Sequence, residues 1–160
     1  SELSNLKLSE LLMQLALEQN IELPSLKKLQ PFSGAYKNRI VNLNDLLSYA
    51  DKLFSNNFVV DAEAAKKHLK PSILEPLQDL TSLFEETTWA SVSIHQAIEN
   101  ICQKHEIGFG KIGQPLRVAV TGGTISPPID ITLTLVEKEL AILRLKSAID
   151  YIENGMTVPS

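Results

Sequence analysis

The chain is poor in cysteine and in aromatic residues, and it contains no long run of apolar residues. Its one cysteine, Cys102, excludes a disulfide within the chain and any zinc site built from several cysteines. A low cysteine content is compatible with a reducing cytoplasm. A membrane-spanning helix needs about 18 or more consecutive apolar residues, and because the sequence has no such run it predicts no membrane span.

The chain also lacks the motifs that mark an independent enzyme. It has no Gly-Lys-Ser/Thr sequence, which excludes a phosphate-binding loop of the P-loop type. Residues 108–113 match the spacing of a dinucleotide-binding fingerprint, but a predicted helix precedes them and Pro115 follows, whereas that fingerprint needs a strand before it and a helix within it. The histidines, His68, His95 and His105, lack zinc-ligand spacing. We therefore predict no catalytic residue, no metal site and no cofactor in this chain.

What is present suffices for one ordinary domain or two small ones. The chain has 160 residues, of which 44% are hydrophobic and 21% are charged, as in typical globular proteins. The net charge of −4 argues against a protein that binds nucleic acid over its whole surface. Basic residues are nevertheless clustered, because residues 23–44 contain no acid but include Lys27, Lys28, Lys37 and Arg39. Such a cluster is either a solvated face or a local contact with an anionic partner.

Hydrophobic periodicity predicts helices over most of the chain. We predict them at residues 3–19, 42–54, 62–69, 71–86 and 138–152, with a further helix that follows Trp89 and ends near His105. Asn42 and Asp61 are the predicted N-caps. Pro31 limits residues 25–29 to a turn or two, residues 32–39 are predicted to be turn-rich, and Pro76 predicts a kink or a restart.

Two of these helices have a clear apolar stripe. The predicted buried residues of the helix after Trp89 are Ile94, Ala97, Ile98, Ile101 and Cys102. Those of the last helix are Leu140, Leu143, Ala148 and Ile152.

A change in composition near Trp89 predicts a boundary between two subdomains, because acidic helices precede it and a glycine- and proline-rich segment follows it. We predict a first subdomain at 1–88, a second at 89–153 and a frayed tail at 154–160. Residues 117–121 are largely β-branched, and residues 129–136 alternate between apolar and polar. By pattern alone these two segments predict strand–turn–strand.

The segment 110–131 carries a resemblance to a known family. It begins Gly-Lys-Ile-Gly-Gln-Pro-Leu-Arg-Val-Ala-Val-Thr-Gly and continues with Ser-Pro-Pro at 126–128. Together with Lys-Glu at 138–139 and Leu-Arg-Leu at 143–145, it resembles the C-terminal anticodon-binding domain of bacterial glutamyl-tRNA synthetases. Glu137 stands where that family usually has glycine before the last helix.

Two blocks earlier in the chain extend this resemblance. Residues 61–71, Asp-Ala-Glu-Ala-Ala-Lys-Lys-His-Leu-Lys-Pro, are similar to the first of the two anticodon-region domains in proteobacterial members. Residues 39–43 loosely match a helix start in that domain, with Asn42 where threonine is usual.

The resemblance implies an all-α chain of two helical subdomains, and we prefer this fold to the strand–turn–strand pattern. It implies a C-terminal fragment that binds the tRNA(Glu) anticodon loop and adjoins the N-terminal catalytic domain of the same cytoplasmic enzyme. The parent would ligate glutamate to tRNA(Glu) with ATP and magnesium, and the fragment alone would not catalyse this step. The resemblance leaves two kinds of parent enzyme as alternatives, one specific for tRNA(Glu) and one that also charges tRNA(Gln).

The resemblance also implies which residues contact the anticodon. Gln114 and Arg117 would contact the middle and third bases, and the residues lining the same pocket would be Ser126, Pro127 and Ile129. Unstacked loop bases are read through hydrogen bonds on their edges and through apolar contacts, and arginine can donate two parallel bonds to one base. The alternative for Arg117 is a structural ion pair with Asp130 or Glu139.

Other basic residues are candidates for contact with the RNA backbone. Lys111, Lys138 and Arg144 would hold phosphates, and Arg39 would contact the first anticodon base or its flanking phosphates. For the first three, the alternative is a solvated surface charge. The rival to the whole interpretation is a helical protein-interaction module, derived from a synthetase domain, that does not bind RNA.

Overall fold

The computed structural model describes residues 3–155, and this part of the chain is helical with no strand. Its α-helices are α1 (Asn5–Glu18), α2 (Leu26–Tyr36), α3 (Leu43–Phe54), α4 (Ala62–His68), α5 (Leu74–Glu85), α6 (Ser91–His105), α7 (Phe109–Thr121), α8 (Ile129–Thr134) and α9 (Lys138–Glu153). Short 3-10 helices cover Lys37–Arg39 and Pro71–Ile73. The all-α prediction is confirmed. Among the described residues, no helix combines the length and the apolar character that a membrane crossing requires.

The chain divides into two compact units, residues 1–59 and residues 60–160. The predicted subdomain boundary at residues 88 and 89 falls inside the second unit, between α5 and α6, which pack against each other. That finer division stays a prediction. Residues 156–160 of the predicted frayed tail lie outside the described residues.

The first unit is a small bundle in which α1 packs on α2 and α3. Its core contains Phe32, which stacks on Tyr36 at a centroid distance of 4.6 Å and meets the edge of Phe54 at 5.4 Å. The prediction that residues 32–39 are turn-rich is wrong, because α2 continues through Pro31 to Tyr36. Its buried residues, Leu29, Phe32, Ser33 and Tyr36, recur at helical spacing, so packing outweighs the cost of an internal proline.

The predicted N-caps are confirmed. The Asn42 side chain accepts a hydrogen bond from the Asp45 amide, and the Asp45 carboxylate accepts from the Asn42 amide in return, which forms a capping box. The Asp61 carboxylate accepts from the Ala64 amide at the start of α4. The chain also restarts near Pro76, since the 3-10 turn ends at Ile73 and α5 begins at Leu74. Pro76 therefore lies in the first turn, where its missing N–H costs no hydrogen bond.

The second unit is built around α6, α7 and α9. The helix α6 packs on α5, α7 and α8, while α9 packs on α5 and α7. The buried stripe predicted for α6 is confirmed at all of its positions, Ile94, Ala97, Ile98, Ile101 and Cys102. Trp89 precedes α6 and connects its start to the C-terminal end of α8, because its indole N–H lies 3.1 Å from the carbonyl of Leu133 and 3.0 Å from that of Val136.

The strand–turn–strand pattern at 117–121 and 129–136 is not realised, because the first segment forms the end of α7 and the second contains the whole of α8. The helix α7 is buried on nearly all sides, and consecutive residues at 118, 119 and 120 are all inaccessible to solvent. The last turn of this helix therefore carries a continuous apolar run, and periodicity alone cannot distinguish such a run from a buried strand.

The stripe predicted for α9 is partly wrong. Ala148 and Ile152 are buried as predicted, but the Leu143 side chain is 61% exposed and the neighbouring Arg144 is only 4% exposed. The buried positions at 141, 145, 148, 149 and 152 define a face that includes residue 144 and leaves residue 143 outside. The helical angle of each position decides which side is buried, and it overrides the preference of leucine for the interior and of arginine for the surface.

Candidate nucleic-acid interface

The predicted base-contacting residues meet at the end of α7, where the chain reverses direction. Gly122 follows the helix with φ of 84° in the left-handed region, which glycine adopts without steric cost. Residues 123–128 then return alongside the helix and lead into α8. This reversal brings Ser126 and Pro127 next to Arg117.

The guanidinium of Arg117 is held by three hydrogen bonds in different directions. Its Nε donates to the Ser126 hydroxyl at 2.7 Å, one terminal nitrogen donates to the Gln114 side-chain oxygen at 3.3 Å, and the other donates to the Pro127 carbonyl at 3.3 Å. Gln114 lies one helical turn before Arg117 on α7, so both side chains lie on the same face. Gln114, Arg117, Ser126 and Pro127 thus form one connected group, which we call the arginine cluster.

The oxygens that accept these bonds are neutral. They therefore orient the guanidinium, while an ion pair of Arg117 with Asp130 or Glu139, the alternative that the sequence left open, stays a prediction. Arg117 and Gln114 are both half-buried. An oriented and partly desolvated arginine of this kind is suited to an acceptor on a base or phosphate.

Two threonines that the sequence analysis missed support the arginine cluster. The Thr132 side chain is 0% exposed, and its hydroxyl lies 2.9 Å from the Ser126 hydroxyl and 2.9 Å from the Pro127 carbonyl. The Thr121 hydroxyl donates to the Arg117 carbonyl at 2.7 Å and lies 3.2 Å from the Gly123 amide. The sequence contained one signal for Thr132, because it is the polar residue among the buried positions of α8, which are otherwise the apolar Ile129 and Leu133.

Two of the predicted pocket residues are buried. Ile129 is 2% exposed, and the Pro127 side chain is also buried, so in this structure neither offers the open apolar surface expected of it. Contact of either residue with a base stays a prediction. The exposed apolar surface of this loop comes instead from Ile125, at 58% exposure, and from Pro128.

The predicted phosphate-contacting residues of the second unit lie in different environments. Lys111 is exposed in the first turn of α7. The Lys138 ammonium lies 3.4 Å from the Glu85 carbonyl and 5.9 Å from the centre of the Trp89 ring. Arg144 is buried and donates to the Val120 carbonyl at 2.9 Å. Burial lowers the pKa of Arg144 to about 10, so the group stays protonated at neutral pH, but its position does not offer it to a phosphate.

Arg39 belongs to the first unit, where it is exposed in the 3-10 turn after α2. Its guanidinium donates to the Ala35 carbonyl in the last turn of that helix at 3.3 Å. Lys27 and Lys28 are exposed at the other end of α2. The basic segment seen in the sequence is therefore at the surface of this unit.

The described residues show no grouped metal ligands. Among residues 3–155, no three side chains of His, Cys, Asp or Glu are grouped so that they could hold a metal ion. His105, one of the histidines that lack zinc-ligand spacing, is half-buried and lies 2.6 Å from Asp79, which also contacts Lys104 at 2.9 Å. This contact joins α5 to α6.

Comparison with known proteins identifies relatives of this fold and of its sequence. A family model described as an anticodon binding domain matches residues 7–149. Glutamate–tRNA ligase 2 of Coxiella burnetii strain Dugway is 44% identical over 97 residues, which cover 60% of this chain and 21% of the ligase. Glutamate–tRNA ligase 1 of the Coxiella burnetii strain RSA 331 matches to the same extent. The chain thus spans about a fifth of the length of the curated relatives it matches.

Solved structures share the fold at lower sequence identity. A glutamate tRNA ligase of Elizabethkingia meningosepticum, solved with its amino acid, matches with a TM-score of 0.82 and 23% identity over 94% of this chain and 30% of that protein. A glutamate-tRNA synthetase of Elizabethkingia anophelis matches with a TM-score of 0.75 and 23% identity over 92% of this chain and 29% of that protein.

Proposed function

We propose that this chain, which belongs to the family of anticodon-binding domains, binds the anticodon loop of tRNA(Glu). It would do so as the C-terminal part of a glutamate–tRNA ligase. The observation that carries this proposal is the family match over residues 7–149, and the 44% identity to glutamate–tRNA ligases supports it. The matches give no support to the rival protein-interaction module. The proposed parent joins glutamate to tRNA in the cytoplasm.

The ligation itself belongs to another part of the proposed parent. The described residues include no group of three or more His, Cys, Asp or Glu side chains that could hold a metal ion, and the sequence contains no P-loop motif. We assign ATP and magnesium to the N-terminal catalytic domain, and we assign to this chain only the selection and positioning of the tRNA. Anticodon binding by this chain can therefore be measured as an equilibrium, without the ligation reaction.

The arginine cluster provides the chemistry for reading bases. The Gln114 side-chain oxygen accepts from Arg117, so its NH₂ group is the part that would donate to a base. An NH₂ donor pairs with the O4 acceptor of uracil and opposes the N4 donor of cytosine. This arrangement favours U at the middle anticodon position. Arg117 would donate to the O2 and N3 acceptors of the third base, C.

Contacts to the RNA backbone would add affinity without base selectivity. Lys111 is the best placed of the predicted phosphate ligands, because it is exposed on the helix that carries Arg117. Lys138 would contribute less, since its ammonium already contacts the Glu85 carbonyl. Arg39 would contact the first base or its flanking phosphates from the first unit. The exposed side chains of Ile125 and Pro128 would provide the apolar surface for an unstacked base.

The test is fluorescence anisotropy of this chain with a labelled tRNA(Glu) anticodon stem-loop. A second stem-loop carries C in place of the middle U, and both are measured at two salt concentrations. We expect the change to weaken binding by about 1–3 kcal/mol, the usual value of a lost base-specific contact, and we expect affinity to fall with salt.

Arg117→Lys separates the reading of bases from the attraction of phosphates. Lysine keeps the charge but loses the planar fork, so we expect the discrimination between the two stem-loops to fall while the salt dependence is unchanged. Lys146→Gln is the matched control, since Lys146 is an exposed α9 cation 3.5 Å from Glu85. Absence of binding to both stem-loops and to the whole tRNA at low salt would refute the proposed function.

A further inference from the structure

We propose that Thr132 is a positioning residue for anticodon reading, because its buried hydroxyl anchors Ser126 and the Pro127 carbonyl, which in turn fix the guanidinium of Arg117. This inference rests on the proposed function and names a residue that the family comparison does not assign. Thr132 itself would not touch the RNA, since its side chain is 0% exposed.

The contacts form a continuous chain from the core to the arginine. The Thr132 hydroxyl donates towards the Ser126 hydroxyl at 2.9 Å, and Ser126 accepts from the Nε of Arg117 at 2.7 Å. The Pro127 carbonyl is shared, because the hydroxyls of Ser126 and Thr132 lie 2.8 and 2.9 Å from it and a terminal nitrogen of Arg117 lies 3.3 Å from it. Two of the bonds that hold the guanidinium therefore end on groups that Thr132 contacts.

The available protons limit the direction of these bonds. Arg117 can only donate, so Ser126 must accept from it. The single hydroxyl proton of Ser126 then has two acceptors within reach, the Pro127 carbonyl at 2.8 Å and the Thr132 oxygen at 2.9 Å. In the first case Ser126 also accepts the proton of Thr132, and in the second Thr132 donates to the Pro127 carbonyl at 2.9 Å, so Thr132 is a partner of Ser126 in both. Without the Thr132 hydroxyl, Ser126 loses one partner and becomes free to rotate its own hydroxyl group away from the orientation that receives Arg117.

A purely local role would use a different bond. Threonine within a helix commonly bonds the carbonyl four residues earlier, and Thr132 lies 3.1 Å from the Pro128 carbonyl in that way. The contacts to Ser126 and to the Pro127 carbonyl are both shorter, at 2.9 Å. They join the start of α8 to the loop that holds Arg117 on α7, so they act on the geometry of the arginine cluster.

The expected effect falls on selectivity. A guanidinium that is already held in its reading orientation loses little conformational freedom when a base binds, whereas one that is released must be ordered at that moment. Contacts to phosphates tolerate such freedom, since they depend on charge more than on angle. Loss of the Thr132 hydroxyl should therefore weaken binding of the matching anticodon and leave binding of a mismatched one nearly unchanged.

The variants for the test are Thr132→Val, which removes the hydroxyl at nearly constant volume, and Thr132→Ser, which retains it. The matched control is Thr81→Val on α5, because Thr81 is also buried, at 4% exposure, and its hydroxyl donates to the Leu77 carbonyl four residues earlier. Ser126→Ala interrupts the same series of hydrogen bonds at a half-buried position. This variant replaces Thr132→Val in the test if Thr132→Val does not fold.

The measurements on the 160-residue chain are affinity for the two stem-loops, melting temperature, and solvent exchange of the Arg117 Nε–H by nuclear magnetic resonance. For Thr132→Val we expect a loss of about tenfold for the matching stem-loop, about the value of one base contact, and less than about twofold for the mismatched one. The Nε–H should exchange at least about tenfold faster as its acceptor becomes mobile. Thr132→Ser should restore both, and Thr81→Val should lower the melting temperature alone.

The outcomes separate this inference from the proposed function. Wild-type binding with equal selectivity and equal Nε–H exchange in Thr132→Val would overturn the positioning role and leave anticodon reading intact. A fall in melting temperature alone, as in Thr81→Val, would also overturn it. If the wild-type chain binds neither stem-loop nor the whole tRNA, the proposed function fails and the positioning role in reading fails with it.

Discussion

The guanidinium of Arg144 donates a 2.9 Å hydrogen bond to the backbone carbonyl of Val120 and thereby joins α9 to the last turn of α7. The carbonyls of a last turn have no partner within their own helix, so this bond satisfies a group that would otherwise be buried without one. Arg144, which the sequence predicted to contact RNA phosphates, thus contributes to the core of the second unit.

Arg144→Ala should destabilise the chain, whereas Lys111→Ala should weaken RNA binding. The first change leaves a cavity and removes a buried hydrogen bond, at a cost of about 2–4 kcal/mol in the free energy of unfolding. The second removes an exposed charge, so unfolding should change by less than about 0.5 kcal/mol while the salt slope of RNA binding falls by about 1. Urea unfolding and salt titrations measure the two effects. Normal stability with a reduced salt slope in Arg144→Ala would contradict this assignment.

Gly122→Ala should destabilise the second unit, because residue 122 has φ of 84° and its carbonyl accepts from the Asp61 amide at 2.8 Å. An L-residue in the left-handed region costs about 1–2 kcal/mol. Gly123→Ala is the matched control, since a Cβ at that position meets nothing within 4 Å and its backbone lies outside that region. Thermal unfolding followed by circular dichroism compares the two variants. Equal melting temperatures of the two variants would show that the left-handed conformation at position 122 does not require glycine.

Asp79 should make the stability of the second unit depend on pH below about 5. Hydrogen bonds from Lys104 and then His105 lower the pKa of Asp79 below its ordinary value of 3.8 in the folded chain. A carboxyl group with a depressed folded pKa stabilises the fold above its unfolded pKa, and this contribution is lost as pH falls through the folded pKa.

Asp79→Asn tests this contribution. At neutral pH we expect the variant to be less stable by about 0.5–1 kcal/mol, a modest value because the carboxylate is 36% exposed and screened by solvent. The difference from wild type should shrink as pH falls from 6 towards about 3, as measured by urea unfolding. Asp150→Asn, on the exposed side of α9, should show no such convergence. A difference that stays constant with pH would exclude the charged contact as its source.

Trp89→Phe should destabilise the second unit by about 1–2 kcal/mol, because phenylalanine keeps a six-membered aromatic ring but lacks the five-membered ring and its N–H, which bonds the Leu133 and Val136 carbonyls. The ring should stay against Phe84, which it meets edge-on at 5.2 Å. Circular dichroism measures the effect, since Trp89 is the one tryptophan and the variant has no indole fluorescence. Tyr151→Phe, which removes a hydroxyl from a half-buried ring, is the control and should be neutral. Similar losses in both variants would contradict a specific role for the indole N–H.

Amphipathic helices and their caps could be predicted from the sequence. The stripe of α6 from Ile94 to Cys102 and the caps Asn42 and Asp61 depend on residues within a few positions of each other, and all were confirmed. The residue order around Arg117 likewise carried the family resemblance. Local pattern succeeds where one face of a helix meets the core and the other meets water, because the contrast itself marks the period.

The tertiary structure decided the elements in which that contrast is absent or misleading. The last turn of α7 lacks this contrast, because residues 118, 119 and 120 are all buried, and α9 buries Arg144 while exposing Leu143. The support that Thr132 gives to Arg117 passes through Ser126, and it exists only because the reversal at Gly122 places α8 beside the end of α7. The sequence by itself determined the helices that have one apolar and one polar face, and the family to which the chain belongs. Packing determined which side chains are buried and which polar groups meet, because both depend on neighbours that are distant in the chain.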